Sequence, residues 1–207
     1  MLFIPVAEEV GLIPALFETV LTRACESASC WNVGRTEPFV VWVNLSPTQL
    51  GSAAVVEQIS RIFRTTGVDP SLIGFEVTES GILPDPEQAA EFLAQLRSLG
   101  ARIAIDDFGT GYSSLSLLKR FPISKLKIDQ SFVRDLGDDP SDRALVSAIV
   151  RMAQALGIDT TAEGVETPQQ LDFLRAQGCT EAQGYHCGRP MAAQELLAWI
   201  AAAGATA

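Results

Sequence analysis

Six short runs of strand-forming residues, each followed by a stretch with helical spacing, narrow the folds open to this chain more than any other feature. The runs lie at Val40–Asn44, Leu72–Glu79, Arg102–Asp107, Lys125–Asp129, Asp159–Glu163 and Ala182–Tyr185. Helical patterns cover 3–29, 54–65, 85–99, 142–156, the residues opened by Thr167-Pro168-Gln169-Gln170, and 195–203, with a short helix at Ser114–Arg120. Their punctuation is specific: Asp85 is placed to cap, Pro86 fits a first helical turn, and Gly100 ends the segment. Strand–helix alternation of this kind calls for βαβ crossovers and a parallel sheet. At 207 residues there is enough chain for one good core and too little for two comfortable domains.

In a parallel sheet all strands deliver their C-terminal ends to one side. Here those ends carry Asn44, Glu76, Asp106 with Asp107, Lys127 with Asp129, Glu163 and Gln183. Alternation puts Gly74 with Glu76, Ala104 with Asp106, Lys125 with Lys127 and Asp129, and Thr161 with Glu163 on one face. Phe75, Val77, Ile103, Ile105, Leu126 and Ile128 take the other. Small or polar residues inside and branched or aromatic ones outside fit a barrel wall with helices around it and a polar mouth.

The adjacent acids Asp106 and Asp107 repel each other, by about 4 kcal/mol for unit charges 4 Å apart at an effective dielectric of 20. A hard divalent cation answers that repulsion. Asp and Gly are also ordinary turn and cap residues, and one acidic strand end would carry no weight; six polar strand ends on one rim do. Glu79 and Glu166 read equally as caps or as loop anchors. The net charge of −10 excludes general binding of nucleic-acid polymers and would repel an anionic substrate unless cations were held at the site. Cys25, Cys30, Cys179 and Cys187 form no C-x-x-C pair, so buried reduced thiols are expected over a zinc site with His186. There is no basic leader and no run long enough to span a membrane, so a cytoplasmic protein without membrane insertion is expected.

In order, Phe3-Ile4-Pro5-Val6-Ala7-Glu8-Glu9, Val43-Asn44-Leu45-Ser46, Glu76-Val77-Thr78-Glu79-Ser80, Asp106 through Ser114, Leu126-Lys127-Ile128-Asp129, Ala162-Glu163-Gly164-Val165-Glu166, and Gln183-Gly184-Tyr185 with Gly188-Arg189-Pro190 resemble the EAL-domain family, the phosphodiesterases that hydrolyse cyclic di-GMP. The resemblance implies a (β/α)8 TIM-like barrel and hydrolysis of cyclic di-GMP to linear pGpG. It implies one or two Mg²⁺ or Mn²⁺ ions held by Asn44, Glu76, Asp106 and Asp107. It makes Glu163 the general base and Lys127 a holder of the attacking water. Glu79 would brace the loop after Asp107, with Asp129, Glu166 and Gln183 as supporting residues, and the protein would be a homodimer.

The family's eponymous Glu-Ala-Leu tripeptide, whose glutamate is a metal ligand, occurs nowhere in the 207 residues. The match begins past the strand that normally carries it. The expectation is therefore one EAL-type barrel domain over 1–207 that lacks its N-terminal strands and shows about six of eight. A catalytically impaired receptor or regulatory module of the same fold is the alternative.

Overall fold

The computed structural model describes residues 3–111, 118–137 and 139–204. Six strands form one parallel sheet in chain order: β1 Val41–Asn44, β2 Ile73–Thr78, β3 Arg102–Phe108, β4 Lys125–Ile128, β5 Asp159–Ala162 and β6 Glu181–Ala182. The helices among the described residues are α1 Phe3–Glu9, α2 Ile13–Trp31, α3 Ala53–Thr66, α4 Glu79–Ile82, α5 Pro86–Ser98, α6 Gln130–Arg134, α7 Pro140–Leu156, α8 Pro168–Gln177 and α9 Ala193–Gly204. Most of the expected helix at Ser114–Arg120 lies outside the described residues.

Local chemistry accounts for the element ends. The Asp85 carboxylate accepts from Gln88 N at 3.0 Å, and Thr167 with Gln170 closes a reciprocal capping box. Gly157 and Gly178 end α7 and α8 in the left-handed conformation that a Cβ disfavours. The single helix expected over 3–29 is two. Gly11 turns left-handed at φ 71°, Leu12 N reaches back to Ala7 O at 2.8 Å, and Pro14 restarts the helix in its first turn. The last strand is shorter than expected: it stops at Ala182, and Gly184 lies so close to Val165 that a Cβ would sit 2.2 Å from its carbonyl oxygen.

The sheet's outer face makes the core. Phe75, Val77, Ile103, Ile105, Leu126 and Ile128 are buried beneath Leu21, Ile59, Phe63, Leu93, Leu96 and Val150. The Phe75 ring lies 6.4 Å from both Phe17 and Phe63, which locks α2 and α3 onto β2. This packing leaves the polar inner face as the concave side of a curled sheet. The four cysteines are free; Cys25 alone is fully buried and Cys30 is exposed, so the expectation of buried thiols holds only in part. No helix among the described residues is long and apolar enough to cross a membrane.

Candidate metal and phosphodiester site

Lys127 stands at the centre of the site. Its side chain leaves the inner face of β4 and is buried, 4% exposed. Nζ donates to Glu76 Oε2 at 2.9 Å and Glu163 Oε1 at 2.7 Å, and lies 3.1 Å from Asp106 Oδ1. Glu76 comes from β2, Asp106 from β3 and Glu163 from the residue after β5, so one ammonium gathers carboxylates from three strands. Burial opposes the lysine's charge, but hydrogen bonds to Glu163 and Glu76 outweigh it and hold its pKa above the ordinary range. Lys127 is a permanent cation here.

The carboxylates outnumber it. Burial pushes both Glu76 and Glu163 above the usual carboxylate range, against the opposing pull of Lys127. Asp107 is pushed up to about 6, first by burial and then by the charges of Asp106, Asp129 and Glu163, and the bond its protonated form donates to Asp129 acts in the same direction. Oxygens of Asp106, Asp107 and Glu163 come within 4.8 Å of one another. One buried ammonium therefore faces five acids at one rim. Clustered hard oxygen donors with excess negative charge suit Mg²⁺ or Mn²⁺, which are bound through carboxylates.

A backbone irregularity brings Asp106 and Asp107 together. In a regular strand, neighbours point to opposite faces. Between β3 and β4, Ile105 pairs with Leu126 but Phe108 pairs with Ile128, so β3 carries one extra residue. Asp107 takes a left-handed φ of 54°, and its N–H donates to Asp106 Oδ1 at 3.0 Å. Bulges of this kind re-aim side chains next to active sites. The sequence shows the two acids but not the bulge that lets both face the mouth.

Supporting residues hold the rim in place. Glu79, 2% exposed at the start of α4, accepts from Gly109 N at 2.8 Å, and its Oε1 would stand 2.6 Å from a Cβ at Gly111. It ties the turn after Asp107 to β2. Asp129 caps α6 through Ser131 and bonds Asp107. Gln170, not singled out from sequence, accepts from Glu166 N and Thr167 N and donates to Val133 O and Arg134 O, fixing the turn after Glu163. Its place as the last residue of Thr167-Pro168-Gln169-Gln170 was the available signal.

The remaining expected residues sit at the edge. Asn44 ends β1 exposed, in register with Glu76. Gln183 is exposed one residue past β6, its N–H on Ala162 O at 2.8 Å. Glu166 is exposed and engages Gln170 through its backbone. Of the ten expected residues, Glu76, Asp106, Asp107, Lys127, Asp129 and Glu163 form the close cluster, Glu79 braces it, and Asn44, Glu166 and Gln183 lie around it.

Nearly the whole chain has relatives among known proteins. The chain is 44% identical over 199 residues to the bifunctional diguanylate cyclase/cyclic di-GMP phosphodiesterase MucR of Pseudomonas aeruginosa, matching 96% of this chain and 29% of that one. The solved PaMucR phosphodiesterase, in complex with c-di-GMP, superposes with a TM-score of 0.90 at 43% identity, over 94% of this chain and 78% of that one. Klebsiella pneumoniae BlrP1, solved with manganese and cyclic di-GMP at pH 9.0, superposes with a TM-score of 0.70 at 34% identity over 79% of this chain and 41% of that one. The chain spans between 24% and 29% of the length of the first curated relatives it matches. Residues 2–190 match the model of the EAL domain, and the chain belongs to that family.

Proposed function

We propose that this chain is the catalytic portion of a metal-dependent phosphodiesterase that opens cyclic di-GMP to linear pGpG. The observation that carries the reading is Lys127 holding Glu76, Asp106 and Glu163 within 3.1 Å beside Asp107. The cyclic di-GMP bound by PaMucR and BlrP1, and the manganese bound by BlrP1, support it. Asn44, Glu76, Asp106 and Asp107 would hold one or two Mg²⁺ or Mn²⁺ ions. Bound there, such ions supply charge to the phosphoryl oxygens and make water acidic enough to deprotonate near neutral pH.

The protein's own groups do the rest. Glu163 Oε1 is held by Lys127 at 2.7 Å, which leaves Oε2 to take the proton of the attacking water. A carboxyl raised above its ordinary range is a stronger base when ionised. The water oxygen bonds to phosphorus, one phosphodiester P–O bond breaks, and the departing alkoxide takes a proton from solvent while Glu163 returns the one it accepted to solvent. Lys127 stays charged throughout and offsets the negative charge that builds on phosphorus.

The domain reading extends this. We take the chain to be one barrel-type unit whose sheet is continued beside β1 by strands these 207 residues lack, one of them bringing a further carboxylate next to Asn44. Supporting this, β1 and β6 are the sheet's edges, and a groove of about 750 Å³ lies between Phe39 and the segment from Gln183 to Trp199. A cytoplasmic homodimer fits the free thiols and the family resemblance. A non-catalytic receptor is favoured only by the missing Glu-Ala-Leu tripeptide.

The test is incubation of purified protein with cyclic di-GMP and Mn²⁺, followed by chromatography for pGpG. No product from the chain, or from the chain with a Glu-Ala-Leu strand restored upstream, refutes the enzymatic reading. Tight nucleotide binding without product would establish the receptor.

A further inference from the structure

Below the rim, the inner face of the sheet carries a second, unassigned cluster. Lys125, two residues before Lys127 on the same face of β4, is buried with 6% exposure. Its ammonium is ion-paired with the Glu181 carboxylate of β6, whose Oε2 also accepts from Thr161 Oγ1 at 3.0 Å. On its other side it lies 4.7 Å from the centre of the Trp42 ring of β1. β1 and β6 are the two edges of the sheet. Glycine at 74 makes the second contact available: a Cβ there would fall 2.2 to 2.6 Å from carbons of the Trp42 ring.

Neighbouring strands are about 4.8 Å apart, so in a flat sheet β4 would be roughly 14 Å from β1 and 10 Å from β6. One ammonium reaching both edges holds the sheet curled. Trp42 stands two residues before Asn44, which is in register with Glu76, and Glu181 two residues before Gln183, the residue that follows β6. We propose that Lys125 is a positioning residue that clasps both edge strands from inside the curl and thereby sets where Asn44 and Gln183 stand at the rim. The consequence for the rim rests on its reading as a metal and nucleotide site; the clasp itself does not.

The experiment uses Lys125→Met, Trp42→Leu, their combination, and Lys125→Arg, which keeps both the charge and the cation–π contact. Hydrogen exchange without metal reads the edges. Lys125→Met is expected to speed exchange about tenfold or more in both Val41–Asn44 and Glu181–Ala182, leaving Ile73–Thr78 unchanged. Mn²⁺ titration, followed by the resonance of the free ion, reads the rim. Each single substitution should weaken Mn²⁺ about tenfold, as loss of an outer-shell support does. The combination should be no weaker than Lys125→Met alone, because loss of the ammonium already removes the Trp42 contact, and Lys125→Arg should restore binding.

Glu181 is half-exposed, so Lys125→Met leaves no sealed charge; should that variant fail to fold, Glu181→Gln breaks the same pair with the side chain's shape kept. Faster exchange at one edge only, or at neither, overturns the clasp. Unchanged Mn²⁺ affinity, or additive losses in the double variant, overturns its role at the rim. A wild-type chain that binds no Mn²⁺ and makes no pGpG refutes the functional reading, while the exchange result still decides the clasp.

Discussion

Replacing Lys127 with methionine tests the electrostatic account of the site most directly. The substitution keeps most of the aliphatic stem and deletes the one charge that Glu76, Asp106 and Glu163 share. Removing one partner of a buried ion pair costs about 3–5 kcal/mol because the other charge is left without compensation. Here three carboxylates are left facing each other, each pair repelling by about 4 kcal/mol at 4 Å and an effective dielectric of 20. They can escape only by taking up protons or a cation. The penalty is therefore conditional: about 3–5 kcal/mol at pH 8 in EDTA, falling by about 1.4 kcal/mol per pH unit for each proton the native state takes up in excess on acidification.

The direction follows from the wild-type site. Burial already holds Glu76 and Glu163 above the ordinary carboxylate range, so the native state protonates before the unfolded chain as pH falls, and acidification relieves the strain. Urea unfolding reads the effect: with a slope of about 2–3 kcal/mol per molar, the midpoint of Lys127→Met should drop by about 1–2 M at pH 8. The deficit should shrink at pH 5.5, and it should shrink at pH 8 when Mn²⁺ is added. An equal deficit at both pH values, indifferent to Mn²⁺, would mean that Lys127 matters for packing alone, and the charge argument would be wrong.

Three further outcomes are expected. Glu163→Gln should keep a hydrogen bond to Lys127 and the fold yet lower pGpG formation by about 10²–10⁴-fold, the range for loss of a general base; retained turnover in a steady-state assay would remove Glu163 from that role. Asp107, protonated below about pH 6 in the metal-free protein, makes Mn²⁺ compete with a proton. Affinity measured by calorimetry should thus be flat above that pH and fall about tenfold per unit below it, a dependence that Asp107→Asn should weaken along with much of the affinity, leaving what the raised Glu76 contributes. The same raised carboxyl destabilises the metal-free native state in full above about pH 6, and the penalty shrinks as pH falls from there toward the ordinary value of 3.8. Gly109→Ala should cost about 1–3 kcal/mol in thermal unfolding, since the residue holds φ 102° and a Cβ would stand 2.9 Å from the Phe132 ring; an unchanged melting temperature would show that the turn adapts freely.

The residues of this rim were legible in the sequence because parallel topology turns chain order into spatial order. Once strands alternate with helices, each strand's last polar residue must reach the same side, however far apart in sequence. Glu76 and Lys127 lie 51 positions apart and meet at 2.9 Å. Helix caps were legible for local reasons, as Asp85 and Thr167 show. The α1–α2 break was written in Gly11 and Pro14, but helical spacing continues through it and masked the signal.

What could not be read was anything set by departure from periodicity or by reach across the curl. Strict alternation places Asp106 inside and Asp107 outside; the extra residue between the Ile105 and Phe108 pairings turns Asp107 inward beside Asp106, and no residue type announces it. Lys125 is a similar case. As one of two lysines on an inner face it reads like a duplicate of Lys127, yet their surroundings differ: Lys127 meets three acids, whereas Lys125 meets one acid and an indole. Those surroundings divide their roles. An ammonium shared among three carboxylates can balance charge that changes during a reaction, because its partners compete for it. An ammonium fixed between a carboxylate on one edge and a ring on the other has its charge already satisfied, and what remains for it to do is hold distance. The proposed clasp thus makes the chemistry of the rim depend on a cation that does not touch it, since Asn44 ends β1 and Gln183 follows β6, the two strands that Lys125 joins.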